Sequence, residues 1–420
     1  MSISDEWCFS EGVTYLNHGS FGPSPRCVRE ARHDWTEQLE RQPMDFFLRR
    51  MESELDDAAE QLGQLVGADG NDLLFCDNAT VAMNIVADSF PLQPGDEVLF
   101  TNQEYGAVMR IWRRACLRAK ANIVVQTLPR PITSAEEQVA ALMAGVTERT
   151  KLIVVSHITS PTAVIVPVAA ICREAAKRGV AVCVDGPHAL GMIDVNLREL
   201  RCDFYCASGH KWLSAPFGSG CLFVAKRWQQ KLSPPVMSWG GSLGGRPAHW
   251  QDEFRWLGTR DPASFLAVPT AITFLDRFGW EAFREQTHEL AKYARHRIVE
   301  LTGLEPPIPD SREWYGSMIA LPLPPTSEVP KQGIRDQLQN PLWERFGIEV
   351  PIVHWHGERL LRVSCHLYNT REQIDHLCNA LRDSWSLVGN ASADGLARAS
   401  DIVGGHCTRS PGQNADGPVQ

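Results

Sequence analysis

The 420-residue sequence contains no run of about 18 uninterrupted apolar residues, and its start, MSISDEWCFSEG, lacks both a basic segment and an apolar core. These absences predict a soluble, cytoplasmic protein with no membrane partner. No block of Lys or Arg stands out and the formal net charge is -9, so no nucleic-acid partner bound through counterion release is expected. The twelve cysteines form no even framework. Cys202 and Cys206, with His210 nearby, do not have the spacing of a zinc finger, so no metal is expected. No G-x-G-x-x-G follows the first strand-like run, and GGSLGG lies in a connection, which argues against a nicotinamide dehydrogenase.

Hydrophobic residues make up 44% and charged residues 22%, the balance of a globular chain. From about residue 70 to 226, short apolar runs (LLFCD, EVLFT, NIVVQTL, KLIVVSHI, VAVCVD, FYCAS, CLFVA) alternate with segments such as PVAAICREAAKRG that have helical periodicity. This predicts an α/β fold with a doubly wound, mostly parallel sheet. The expected organisation is an arm and helix over 1–65 packing on the smaller domain, a large domain over 66–259, and a smaller α+β domain over 260–384. The small, polar, aperiodic tail over 385–420 is expected to be disordered.

In such sheets ligands collect at the carboxyl ends of the strands. Lys211, in SGHKW, follows the run FYCAS and precedes a Gly-rich turn, and a partly buried lysine amine there is suited to form an imine with a carbonyl compound. Taken alone it would read as a surface lysine, since most lysines are solvated, and the partners that follow shift the reading to function. Asp185 ends the apolar run VAVCVD, where a carboxylate is costly without a positive partner; a protonated pyridine nitrogen is one, and an N-cap role is the plain alternative. In CDNATVAMNIVADSF, Asn78 reads as a helix cap that leaves the amides of Ala79 and Thr80 aimed at an anion such as phosphate.

The segments NHGSFG, DNAT, EYGA, SHITSPT, DGPHALG, SGHKW, WLGTRD and LRVSCHLYN occur in the order seen in class V aminotransferase-like pyridoxal-phosphate enzymes, from residue 15 to about 380. Within that superfamily the sequence most resembles the isopenicillin N epimerase-like branch and is more distantly similar to cysteine desulfurases. The resemblance implies an aspartate-aminotransferase-like fold, pyridoxal 5'-phosphate as cofactor and an amino-acid-like small-molecule substrate. Lys211 would hold the cofactor as a Schiff base and move the α-proton, and Asp185 would keep the pyridine nitrogen protonated. Tyr105 matches the ring that stacks on the cofactor, with a core tyrosine as the alternative. Ala79, Thr80, Ser208 and His210 match phosphate ligands, and Thr259 matches one given by a neighbouring subunit, which implies a homodimer with shared sites. His188 stands where relatives place a glutamine or histidine near the cofactor's phenolic oxygen, which would make it part of the catalytic set, and Ser160 where desulfurases carry an asparagine. Arg362 matches the arginine that grips the substrate carboxylate, its alternative being an ordinary salt bridge, and Asn17 and His18 are placed to reach the substrate.

The segment VPIVHWHGERLL departs from the desulfurase pattern, having no cysteine where those enzymes hold a nucleophile. Cys365 reads as a packed strand position. His354, Trp355 and His356 read as pocket-lining residues rather than a metal pair. An epimerase- or aminotransferase-like reaction ranks first, a C–S lyase acting by β-elimination second, and a cofactor-binding scaffold or sensor without turnover is the non-enzyme alternative.

Overall fold

A computed structural model describes residues 3–326 and 335–388. The expected tail lies almost wholly outside the described residues. The strands, in chain order, are β1 (Thr14–Tyr15), β2 (Leu73–Cys76), β3 (Glu97–Thr101), β4 (Asn122–Gln126), β5 (Thr150–Ser156), β6 (Ala181–Asp185), β7 (Phe204–Ser208), β8 (Gly220–Val224), β9 (Met318–Pro322), β10 (Ile348–Glu349), β11 (Ile352–Trp355) and β12 (Glu358–Ser364). Seven form one sheet in the order β2-β8-β7-β6-β5-β3-β4. It is parallel except for β8, which runs antiparallel to both β2 and β7.

The central strands are apolar through their middles because both faces are covered. Along β5, Leu152 and Val154 enter a core with Phe100, Cys183 and Phe204 on one side of the sheet. Ile153 and Val155 enter another with Leu99, Val182 and Val184 on the other. The parallel register sets Ser156 beside Asp185, so the polar ends of β5 and β6 are neighbours.

A three-stranded antiparallel sheet, β11-β12-β9, lies in a second core with Ala291, Ala294 and Ile298 of the helix Trp280–Thr302. The first turn of that helix contributes Phe283 to the large-sheet core instead. This helix therefore contributes to both cores. The glycine-rich stretch GGSLGG is a surface turn pinned by Glu52, which accepts from Ser242 Oγ at 2.7 Å and Leu243 N at 2.6 Å.

The N-terminal arm reaches the smaller unit through β1, which pairs in parallel with β10. The helix Met51–Val66 packs partly on residues of the 260–384 segment and partly on the large-sheet core. Its Met51 and Leu55 pack with Phe265 and Leu266, and its Leu62 and Val66 with Leu73 in the large-sheet core. Among the described residues no helix is long and apolar enough to cross a membrane.

Candidate active site

The carboxyl ends of β3, β5, β6 and β7 open into a cavity of about 370 Å3, whose lining includes Asn78, Ala79, Thr80, Tyr105, Ser160, Asp185, His188, Ser208, His210, Lys211 and Arg362. Residues spread over nearly 300 positions of sequence therefore converge where the sheet topology predicts a ligand.

At one end, the helix Ala79–Ser89 points its N-terminus into the cavity. Asn78 Oδ1 caps it by accepting from Val81 N at 3.0 Å, and Ala79 N donates to Ser208 Oγ at 3.0 Å. The amide of Thr80 has no hydrogen-bond partner among the described residues, and buried His210 Nδ1 has none either. A free helix amide and an unpartnered imidazole nitrogen suit a phosphate.

At the centre, Asp185 is buried and its carboxyl makes no hydrogen bond to a described residue; burial pushes its pKa up from 3.8 to about 7, against the attraction of Lys211. The Lys211 amine lies 3.1 Å from His188 Nε2. Burial, with Arg362 adding repulsion, lowers the Lys211 pKa from 10.5 to about 7, so near neutrality much of the amine is free base. Trp212 Nε1 reaches His188 Nδ1 at 3.5 Å, which places the imidazole proton on Nε2 and directs it at the lysine lone pair. Burial keeps His188 uncharged.

At the far end stands Arg362 on β12, 5% exposed. Its Nη1 donates to Ser160 O at 2.7 Å and Oγ at 3.1 Å, its Nη2 to Ser20 Oγ at 2.7 Å, and its Nε has no partner. No carboxylate of the described residues pairs with it, so the salt-bridge alternative does not hold. Burial lowers its pKa from 12.5 to about 10. A buried cation facing a cavity without an anion is a receptor for one. Tyr105 stands at the mouth, 45% exposed, just before the helix Gly106–Ala119.

The expectations for His18, Asn17, His354, Trp355 and His356 are corrected. His18 does not line the cavity: Nδ1 is 2.8 Å from Tyr368 Oη and Nε2 2.8 Å from Lys211 O, so neither nitrogen is available to a substrate. Asn17 Nδ2 turns away to Glu349 Oε1 at 3.5 Å. His354 pairs with Asp336 at 2.6 Å and Trp355 lies under Arg130, so the HWH segment braces the small sheet and lines no part of this cavity. Thr259 is exposed and outside this chain's own cavity. Among the described residues no cluster suits a metal. Cys365 is fully buried.

Two residues carried no role in the sequence reading. Ser20, inside NHGSFG, holds Arg362. Glu104, inside EYGA, is buried, accepts from Thr101 Oγ1 and Ser156 Oγ at 2.6 Å each, and has its pKa raised to about 7 by burial. It ties the ends of β3 and β5 beneath the cavity; a buried acid directly before an exposed tyrosine was the available signal.

Residues 24–377 match the aminotransferase class-V family. The chain is 37% identical to the isopenicillin N epimerase of Streptomyces clavuligerus over 88% of its length and 94% of that protein. It is 39% identical to the isopenicillin N epimerase of Amycolatopsis lactamdurans over 88% of its length and 95% of that protein. The crystal structure of the cysteine desulfurase CsdA from Escherichia coli has the same fold, with a TM-score of 0.74 at 21% identity, covering 91% of this chain and 97% of that one. The match spans both sheets and all the strand ends that build the cavity, and by it the chain belongs to the aminotransferase class-V family.

Proposed function

We propose that this pyridoxal-phosphate enzyme inverts the configuration at Cα of an amino acid or amino-acid-derived substrate. The observation that carries the reading is the convergence, in one cavity, of a buried lysine amine whose pKa is lowered to about 7, a partnerless buried carboxyl and a buried arginine without an anion. Pyridoxal phosphate supplies a carbonyl for amines and a ring that withdraws electrons from Cα. The residues present fit it: Lys211 for the aldehyde, Asp185 for the ring nitrogen, and Thr80, Ser208 and His210 at the helix N-terminus for the phosphate, with Tyr105 against the ring.

Arg362 orients the substrate by its carboxylate, which the planar fork can meet with two hydrogen bonds once Ser160 yields, Ser20 keeping its hold on Nη2. The unprotonated fraction of Lys211 Nζ takes the proton from Cα once its lone pair is released from His188 Nε2, which otherwise holds the amine in place. The epimerase relatives favour return of a proton to Cα over transfer elsewhere. The active unit is proposed to be a homodimer in which Thr259 of one chain completes the other's phosphate seat.

Borohydride reduction and peptide mapping tests the anchor: label belongs on Lys211, and label on another lysine would refute it. Incubation with single enantiomers in deuterated water should give the opposite enantiomer carrying deuterium at Cα. Keto acid as the stoichiometric product would make the enzyme an aminotransferase, and pyruvate with ammonia and sulfide from cysteine a C–S lyase.

A further inference from the structure

The turn over residues 17–22 touches both ends of the cavity. On the Arg362 side, Ser364 N donates to Leu16 O at 3.0 Å, Gly19 N to Ser364 Oγ at 3.2 Å, and Arg362 Nη2 to Ser20 Oγ at 2.7 Å. On the Lys211 side, His18 Nε2 meets Lys211 O at 2.8 Å and Gly22 N donates to His210 O at 3.0 Å.

The chemistry of His18 fixes its tautomer. A carbonyl only accepts, so Nε2 carries the proton, and Nδ1 accepts from the Tyr368 hydroxyl. The ring is fully buried and stacks on His366 at 4.1 Å, and burial lowers its pKa to about 3, so this arrangement persists across the working range of pH. Gly22 has no room for a side chain: a Cβ would lie 2.5 Å from His18 Nε2, 2.7 Å from His210 O and 2.8 Å from Lys211 O. Gly19 is also closely packed, though against side chains, its Cβ position 2.7 Å from Met318 Sδ and 3.0 Å from Ser364 Oγ. The close backbone approach at Gly22 and the side-chain packing at Gly19 make the turn stiff.

We propose that this turn is a bracket that sets the span between Lys211 and Arg362, with His18 and Ser20 as positioning residues, and that it thereby selects α-amino acids over longer amino acids. The proposal rests on the assignment of Lys211 and Arg362 above. The amine and carboxylate of a substrate are measured against one short piece of backbone, and a ligand with an extra methylene between them mismatches it. His18 acts through the Lys211 carbonyl, and Ser20 through the guanidinium.

The test uses the cofactor-loaded enzyme, L-alanine and β-alanine as probes, and four substitutions. Dissociation constants come from spectral titration, and the visible band of the Lys211-bound cofactor is titrated with pH. His18→Phe keeps the ring packing but loses both hydrogen bonds; it should move the midpoint of that band by about half a unit or more and cut the preference for L-alanine by roughly tenfold. His18→Gln, whose amide N–H can meet the same carbonyl, should recover part of both. Ser20→Ala should lower the preference without moving the midpoint, and Gly22→Ala should reproduce His18→Phe. Wild-type midpoint and preference in folded His18→Phe, or equal weakening for both ligands in Ser20→Ala, would overturn the bracket. If His18→Phe fails to fold, Ser20→Ala at the cavity edge decides alone. Failure to label Lys211 in the wild type would sink the underlying assignment and is read independently of these ratios.

Discussion

Replacing Arg362 by methionine should separate binding from stability. The guanidinium is buried and pairs with no carboxylate of the described residues, and its pKa is lowered from 12.5 to about 10. Because the charged form is disfavoured in the folded state, folding at neutral pH bears a cost of roughly 3 kcal/mol that a neutral side chain does not. Against this stand three charge-assisted hydrogen bonds, to Ser160 O, Ser160 Oγ and Ser20 Oγ, worth about 1.5 kcal/mol net each at the lower end of their range because the cavity admits water. Ser20 and Ser160 line the cavity, where water can take up the freed groups. The two sides agree to within about 1.5 kcal/mol, so Tm should move by less than about 3 °C. Activity should not be spared: losing a charge-assisted pair of about 1.5 to 3 kcal/mol lowers kcat/KM for an α-amino acid by roughly ten- to hundredfold or more. Arg362→Lys should rescue poorly, since an ammonium lacks the fork. Thermal unfolding and steady-state kinetics on an amino acid and on its decarboxylated amine measure both halves. A Tm loss of about 8 °C or more, or equal losses on both substrates, would make Arg362 a structural residue and refute the reasoning.

The Asp185 carboxyl, raised from 3.8 to about 7, contributes stability below the unfolded value that is lost as pH rises through the folded one. In cofactor-free protein, Asp185→Asn should therefore gain stability over the wild type between pH 4 and 7, by up to about 4 kcal/mol, and no further above; a pH-independent difference in urea unfolding contradicts this. The same substitution should weaken cofactor binding. Lys211, lowered to about 7, should become reactive toward an amine-acylating reagent near that pH in the cofactor-free protein, followed by mass spectrometry, and an onset near 10 would refute it. Cys365→Ala should leave turnover near wild type and cost stability only, because the thiol is fully buried and packed; persulfide found on Cys365 with cysteine as substrate would overturn that. Mixing Lys211→Ala with Thr259→Ala protein should restore part of the activity through hybrid dimers with one intact site, whereas full activity of a proven wild-type monomer rules out the shared site.

What the sequence discloses follows from the range of the forces involved. The strands of the large sheet were legible because burial on both faces requires unbroken apolar runs, and a sheet so covered has to be mostly parallel. That fold in turn puts Asp185 and Lys211 at adjacent strand ends without any knowledge of contacts. Asn17, His18, His354 and His356 were misread for the opposite reason: a polar residue in a turn looks alike whether it faces a ligand or another part of the chain. For His18 the partners that decide are Lys211 and Tyr368, 193 and 350 positions away. Ser20 shows the converse, an unremarkable hydroxyl given a role by an arginine 342 positions away. The helix Met51–Val66 has a readable apolar stripe, but amphipathicity names a face and not its partner, and that face met the large-sheet core and Phe265 and Leu266 alike. The residues that carry charge into the cavity were thus visible one by one. The turn that spaces them was not, because its function lies in two distances that only the folded chain creates.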